Sequence, residues 1–398
     1  MNVMSVQLMI LLAQPGVPAR QIPGAGELTE DSDSLHRSAL VFDGHCDTTQ
    51  RFGIELEDFA VRQASGHLDL PRMLEGGLDA QVFAIWVDPQ WWPDRALYRT
   101  LDLTLRALKV IEANPERIGL AQSASDVRKL HKQNKVAAFL GIEGGYAVED
   151  KLENLKVFRD TGVRLMTLTW NKNTNWADSS SDEPKWGGLT DFGEAVVREM
   201  NRLGMVIDLS HASDEVFYHT LKLSRKPVLV SHSACRALCD HPRNLSDGML
   251  KALAQNDGVI GIPFYPGFLD PRASAVLEKM WKALDPEFAK LMRRFAKDPD
   301  KLRYARQRLV DRWRKRVPRV SIDKVLDHLD HAVKIAGVDH VGLGSDFDGI
   351  SFTPVGLEDV SKLPTLTAKL KQRGYSEPDI RKILGENLLR LFEKVIGE

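Results

Sequence analysis

The stretch VAAFLGIEGG, residues 136–145, runs apolar to Ile142 and then ends on a carboxylate and two glycines. A near-continuous apolar run of this length suits a parallel β-strand covered on both faces. Working outward, the same shape recurs at Ala39–Phe42, Ala80–Val87, Arg164–Thr169, Met205–Leu209, Pro227–Val230, Val259–Phe264 and His340–Leu343, eight runs in all. The stretches between them carry helical periodicity; Phe192, Val196, Val197, Met200 and Leu203 share one helical face. Eight strands alternating with helices predict an α/β protein, a (β/α)8 TIM-like barrel. A doubly wound open sheet is the second architecture that strand counting allows.

The chain has 398 residues, a formal net charge of −1, 43% hydrophobic and 27% charged residues. These values describe a globular protein with a sizeable core. The balanced charge gives no reason to expect nucleic acid as a partner. No apolar run reaches the roughly 18 residues of a membrane span. Val3–Ala13 has the length of a signal-peptide core, followed by small residues, but no Lys or Arg precedes it. It reads as a degenerate export signal or as a frayed N-terminal segment, and export, periplasmic or secreted, is favoured over a cytoplasmic location. Gly26–Arg37 is polar and reads as a linker. The expected organisation is therefore a signal-like or disordered segment, 1–37, and one barrel domain, 38–398. Asp270–Val320 forms a charged helical insertion, residues 270–320, between the seventh and eighth strands. It reads as a lid or dimer surface or, in preference, as a solvated helical hairpin. The tail from Ser376 predicts an amphipathic helix packed on the barrel, with Ser376 as N-cap. Cys46, Cys235 and Cys239 form no disulfide framework.

In such a barrel the active site lies at the C-terminal ends of the strands. There the sequence places His45 and Asp47, Glu143, His211, His232 and Asp346. Singly, each reads as a turn former, cap or structural residue. As a set delivered by separate strands to one mouth, they read as groups able to bind metal or move a proton. His45 and Asp47 alternate onto one side of an extended segment, with Cys46 packed behind; Cys46 as a soft ligand is the lesser alternative. Imidazole and carboxylate together suit Zn²⁺, and Mn²⁺, Co²⁺ or Fe²⁺ fit the same donors. Gly144 and Gly145 leave the approach to Glu143 clear.

These residues lie in motifs that resemble one family. DGHCD (43–47), GIEGG (141–145), TNWADSS (174–180), the stretch from Gly188 to Ser213, SHSACRALCDHPRNLSD (231–247), HVGLGSDFDG (340–349) and ILGENLLRLF (383–392) resemble the membrane (renal) dipeptidases, metallopeptidases among the amidohydrolase-like barrels. The resemblance runs from residue 39 to the C-terminus. It implies two divalent ions, most often Zn²⁺: His45 and Asp47 at one, His211 and His232 at the other, Glu143 between them. It implies hydrolysis of dipeptides, some with a C-terminal D-residue, by a water bridging the ions and facing Asp346 as general acid and base. Arg243 would bind the substrate near its terminal carboxylate or its polarised carbonyl; outside the resemblance, Arg243 reads as a surface ion pair. A homodimer is also implied.

One position departs from the family pattern. Where the family carries a substrate-contacting His after the fourth strand, this chain has Trp170 in LTWNKNTNW. An indole donates one N–H and cannot act as a base. Trp170 would line the pocket, and Asn171 or Asn173 would take over the hydrogen bond to substrate. The change raises a second reading, a related amidohydrolase for N-acyl amino acids or cyclic amides. A non-catalytic binding homologue is a third, and Asp346 argues against it, because a binding module needs no general base.

Overall fold

The computed structural model describes residues 28–53, 58–296 and 298–398. The strands are β1 (Phe42–Cys46), β2 (Ala80–Trp86), β3 (Ile118–Leu120), β4 (Val136–Glu143), β5 (Val163–Thr167), β6 (Val206–Asp208), β7 (Leu229–Val230), β8 (Val259–Ile262) and β9 (Val341–Leu343). All pairings between them are parallel. The order β1-β2-β4-β5-β6-β7-β8-β9 closes on itself through β9–β1, giving an eight-stranded barrel ringed by helices. Each of the eight apolar runs supplies one barrel strand, and the open-sheet alternative is excluded by the closure. The additional strand β3 lies outside the ring against the start of β4, Ile118 beside Val136.

Strand residues separate into two apolar layers. Phe42, Ala80, Val82, Ala137, Phe139, Leu165, Val206, Leu229 and Val259 form one cluster with Leu388, Leu391, Phe392 and Val395. These last four belong to the C-terminal helix Asn387–Ile396, which therefore closes the N-terminal end of the barrel. Phe392 stacks 5.2 Å from Phe42 and 4.6 Å from Phe139, between ring centroids. Gly385 allows the approach to β1, because a Cβ there would lie 2.4 Å from the Leu40 carbonyl oxygen. Ser376 caps the preceding turn as expected, accepting from the Asp379 amide. The other faces of the strands pack against the surrounding helices. One is Asp191–Leu203, capped by Thr190, ended by Gly204 at φ 64°, and burying Val196, Val197 and Met200.

Two expectations need correction. The segment read as a linker forms the helix Glu30–Ser38, with a capping box between Thr29 and Ser32 and acidic residues in its first turn. Its His36 is buried, Nδ1 2.7 Å from Thr367 Oγ1 and Nε2 2.8 Å from the Gly76 carbonyl. The ordered unit therefore begins before residue 38; the export-signal stretch lies outside the described residues. The insertion forms the helices Pro271–Arg294 and Pro299–Asp311. It is not simply a solvated hairpin: Leu277, Leu284 and Phe288 are buried, and Leu277, Trp281, Phe288, Arg303 and Arg306 face the cavity at the barrel mouth. Among the described residues no helix is long and apolar enough to cross a membrane.

Candidate metal centre

Every candidate ligand leaves the barrel at the same end. His45 is in β1 with Asp47 after it, Glu143 closes β4, and His211, His232 and Asp346 follow β6, β7 and β9. Glu143 stands between two groups. Its Oε2 lies 3.8 Å from His45 Nε2, while Oε1 lies 3.0 Å from His211 Nε2 and 3.8 Å from His232 Nε2. Asp47 Oδ2 is 3.4 Å from His45 Nε2, and the Nε2 atoms of His211 and His232 are 2.9 Å apart. Donor atoms of His45, Glu143 and His232 lie within 4.8 Å of one another, as do those of His45, Asp47 and Asp346.

The electrostatics are those of a crowded acidic centre. Burial, then the charge of Asp47, pushes Glu143 well above the usual carboxylate range. The same two causes raise Asp346 to about 8. For His45 burial acts downward, but Glu143, Asp47 and Asp346 outweigh it and raise the imidazole to about 10. His211 and His232 are held well below the ordinary value by burial and by the Arg243 and His45 charges. Neither ring nitrogen of His45 has a hydrogen-bond partner, although both are buried. Unpartnered buried polar atoms are costly. Carboxylates pushed toward protonation beside His45, whose ring nitrogens lack partners, and beside two imidazoles held neutral are the donor set of a divalent cation. The residues fit the metal that the resemblance implies.

A second layer of polar groups, not anticipated from the sequence, fixes these side chains. Asp208 is fully buried. Its Oδ2 accepts from Ser231 Oγ at 2.6 Å and Thr167 Oγ1 at 2.8 Å, and its Oδ1 from the amides of Ser210 and Ser231 at 3.0 and 2.9 Å. With its proton on Asp208, Ser231 Oγ accepts from His232 Nδ1 at 2.8 Å, which leaves the Nε2 lone pair facing Glu143. Asp43 ties β1 to the end of β9, accepting from the Ser345 amide and hydroxyl at 2.7 and 2.6 Å. The available signal was a carboxylate inside a buried strand, in VFDGH and MVIDL; such a group must be surrounded by donors.

Backbone strain gathers here too. His211 has φ 69° and Asp346 φ 60°, left-handed values uncommon outside glycine. Gly349 is required by contact: a Cβ would fall 2.2 Å from Asp47 Oδ2 and 2.3 Å from Asp346 Oδ1.

Arg243 is buried at 4% exposure, which overturns the surface ion-pair reading. Its Nη1 donates to Ser233 Oγ and its Nη2 to the His232 carbonyl, both at 3.3 Å, while Nε is buried without a partner. It stacks 5.2 Å from the Phe268 ring, and burial lowers it to about 10. Trp170 lines the cavity, 4.9 Å from Trp86 and 6.3 Å from His211 between ring centroids. Asn171 lines the cavity as well, and its Oδ1 accepts from His211 Nδ1 at 2.9 Å, orienting that ring. Asn173 serves its own loop, accepting from the Ser179 amide at 2.7 Å. Cys46 is buried in the outer apolar layer, and all three cysteines are free. The cavity over the centre measures about 800 Å³.

A (β/α)8 barrel whose mouth gathers buried imidazoles and carboxylates in this way defines the class of metal-dependent hydrolases. The model of the membrane dipeptidase family, peptidase family M19, matches residues 29–396. The chain belongs to this family of metallopeptidases. Among solved structures it is similar to the probable dipeptidase PvdM from Pseudomonas aeruginosa, at 29% identity and TM-score 0.79, covering 92% of this chain and 98% of that one. A metallo peptidase from Rhodobacter sphaeroides, liganded with a phosphinate mimic of the dipeptide L-Ala-D-Ala, matches at 29% identity and TM-score 0.73, over 90% and 99% of the two chains. The dipeptidase AC, also of family M19, matches at 28% identity and TM-score 0.72, over 91% and 100%.

Proposed function

We propose that this dipeptidase-family chain cleaves dipeptides with two divalent ions, Zn²⁺ foremost. His45 and Asp47 hold one, His211 and His232 the other, and Glu143 is shared. The observation that carries this reading is the position of Glu143, one oxygen toward His45 and the other toward His211 and His232. When bound, such ions polarise a carbonyl and bring the pKa of water toward neutrality. Asp346 takes a proton from the attacking water and passes it to the amine nitrogen as the C–N bond breaks. One water is consumed, and a carboxylate and an amine leave. Arg243 receives the substrate's terminal carboxylate: its guanidinium is buried, its Nε is unpartnered, and its planar fork matches two carboxylate oxygens. The roof formed by the insertion favours short substrates. Acceptance of a C-terminal D-residue belongs to the same proposal, supported by the ligand of the Rhodobacter sphaeroides relative.

The test is a panel of L-L and L-D dipeptides with metal content measured in parallel, before chelation, after it, and after zinc is restored. The expected result is near two ions per chain and turnover lost and regained with them. One ion, or turnover indifferent to chelation, defeats the proposal.

A further inference from the structure

We infer that the β4 side of the mouth is a side-chain pocket for the first residue of the substrate, walled by Trp86 and Trp170, and selects dipeptides whose N-terminal residue is large and apolar. The inference rests on the dipeptidase reading and deepens it.

In the closed ring, β2, β4 and β5 are neighbours, and β8 lies diametrically across from β4. Trp86 ends β2 and Trp170 follows β5, so the two indoles flank Glu143 at the end of β4. Arg243 lies on the far side, stacked on Phe268, which follows β8. A substrate with its carboxylate on Arg243 and its amide over the carboxylate–imidazole cluster must send its first residue toward the two tryptophans.

The chemistry of that wall is apolar. The indoles pack at 4.9 Å and 59°, a tilted pair, and both line the cavity. The Nε1 of Trp86 is buried while the side chain lines the cavity, so the face it presents there is ring carbon. Gln50, at the same edge, spends its amide on the Trp86 carbonyl, at 2.9 Å. Trp170 cannot carry a proton between substrate and solvent. The two indoles present a broad aromatic surface, which discriminates by buried apolar area and ring–ring geometry.

The experiment compares kcat/KM of the zinc-loaded enzyme for Gly-Ala, Ala-Ala, Leu-Ala and Phe-Ala, and in parallel for Ala-Gly and Ala-Phe. Wild type is expected to favour Phe-Ala over Gly-Ala by about tenfold or more, the scale on which apolar pockets discriminate. In Trp170→Leu and, separately, Trp86→Leu, that ratio falls several-fold, while the Ala-Phe to Ala-Gly ratio stays where it was. Two variants are used so that a folding defect in one leaves the other informative. Equal or inverse preference in wild type overturns the inference while leaving the dipeptidase reading intact. A preference that survives both substitutions, or that moves at the second position instead, overturns it as well. Absence of turnover with every dipeptide, metal bound, defeats the dipeptidase reading and this inference with it.

Discussion

At the N-terminal end of the barrel, Phe42, Phe139 and Phe392 pack ring on ring and exclude polar groups. At the C-terminal end, Asp47, Glu143 and Asp346 crowd three imidazoles, and two of the residues involved adopt left-handed backbone. The same eight strands carry both ends. Dispersion and the hydrophobic effect act fully at the first. At the second, like charges and strained dihedrals oppose folding unless a cation neutralises them. Strain of this kind costs on the order of 1–3 kcal/mol per residue, so the aromatic end must offset what the mouth spends. Substitutions at the two ends should therefore move stability and activity in opposite combinations.

The largest effect is expected at Glu143. In Glu143→Gln, metal content should fall and kcat/KM should drop by more than about 100-fold, since even groups behind metal ligands cost 10- to 100-fold. The metal-free variant should nevertheless resist urea at least as well as metal-free wild type, because the cost of burying Glu143 beside Asp47, whether as a charge or by taking up a proton, is removed. A less stable apo variant would show that the mouth is not under electrostatic strain. Phe392→Ala inverts the pattern. Removing a ring packed against two others costs about 3–5 kcal/mol, read as a lower urea midpoint at unchanged m-value. Active-site titration should find the same kcat in the molecules that remain folded. A fall in kcat would mean that the plug positions the mouth and does more than close the barrel.

The two ends also differed in how far they could be read from the sequence. Strands covered on both faces leave a run such as AQVFAIWV, which no half-exposed element would tolerate, so all eight were legible. The ligand candidates were legible because charged groups at strand ends have few structural uses when several occur together. What was not legible depends on which loops meet. Asn171 orients His211 across 40 residues of chain, and Asp208 reaches His232 through Ser231. Neither partner is marked by spacing. The helix Glu30–Ser38 looked like a linker because its exposed face is acidic; its anchor, His36 on Thr367, lies 331 residues away. Arg243 resembles any surface arginine in the sequence; its burial against Phe268 arises only in the fold.

The smallest effect sharpens the comparison most directly, since it concerns protons alone. In metal-free protein, Asp346 titrates near 8 and His45 near 10, both above their values in an unfolded chain, and Glu143 is raised as well. A group whose folded pKa is raised stabilises the fold below its unfolded pKa and loses that contribution as pH rises through the folded one. His211 and His232 are shifted downward and act with the opposite sign, but only below about pH 6.5, where an unfolded imidazole begins to charge. Between pH 6.5 and 8 the mouth therefore contributes a single sign: the chelated protein should lose stability as pH rises. Because ligand atoms must shed protons to hold a cation, added zinc should stabilise more at pH 8 than at pH 6.5. Thermal midpoints with chelator and with zinc at the two pH values decide it. The slope should persist in Phe392→Ala and shrink in Glu143→Gln; a slope untouched by Glu143→Gln would place its origin elsewhere in the molecule.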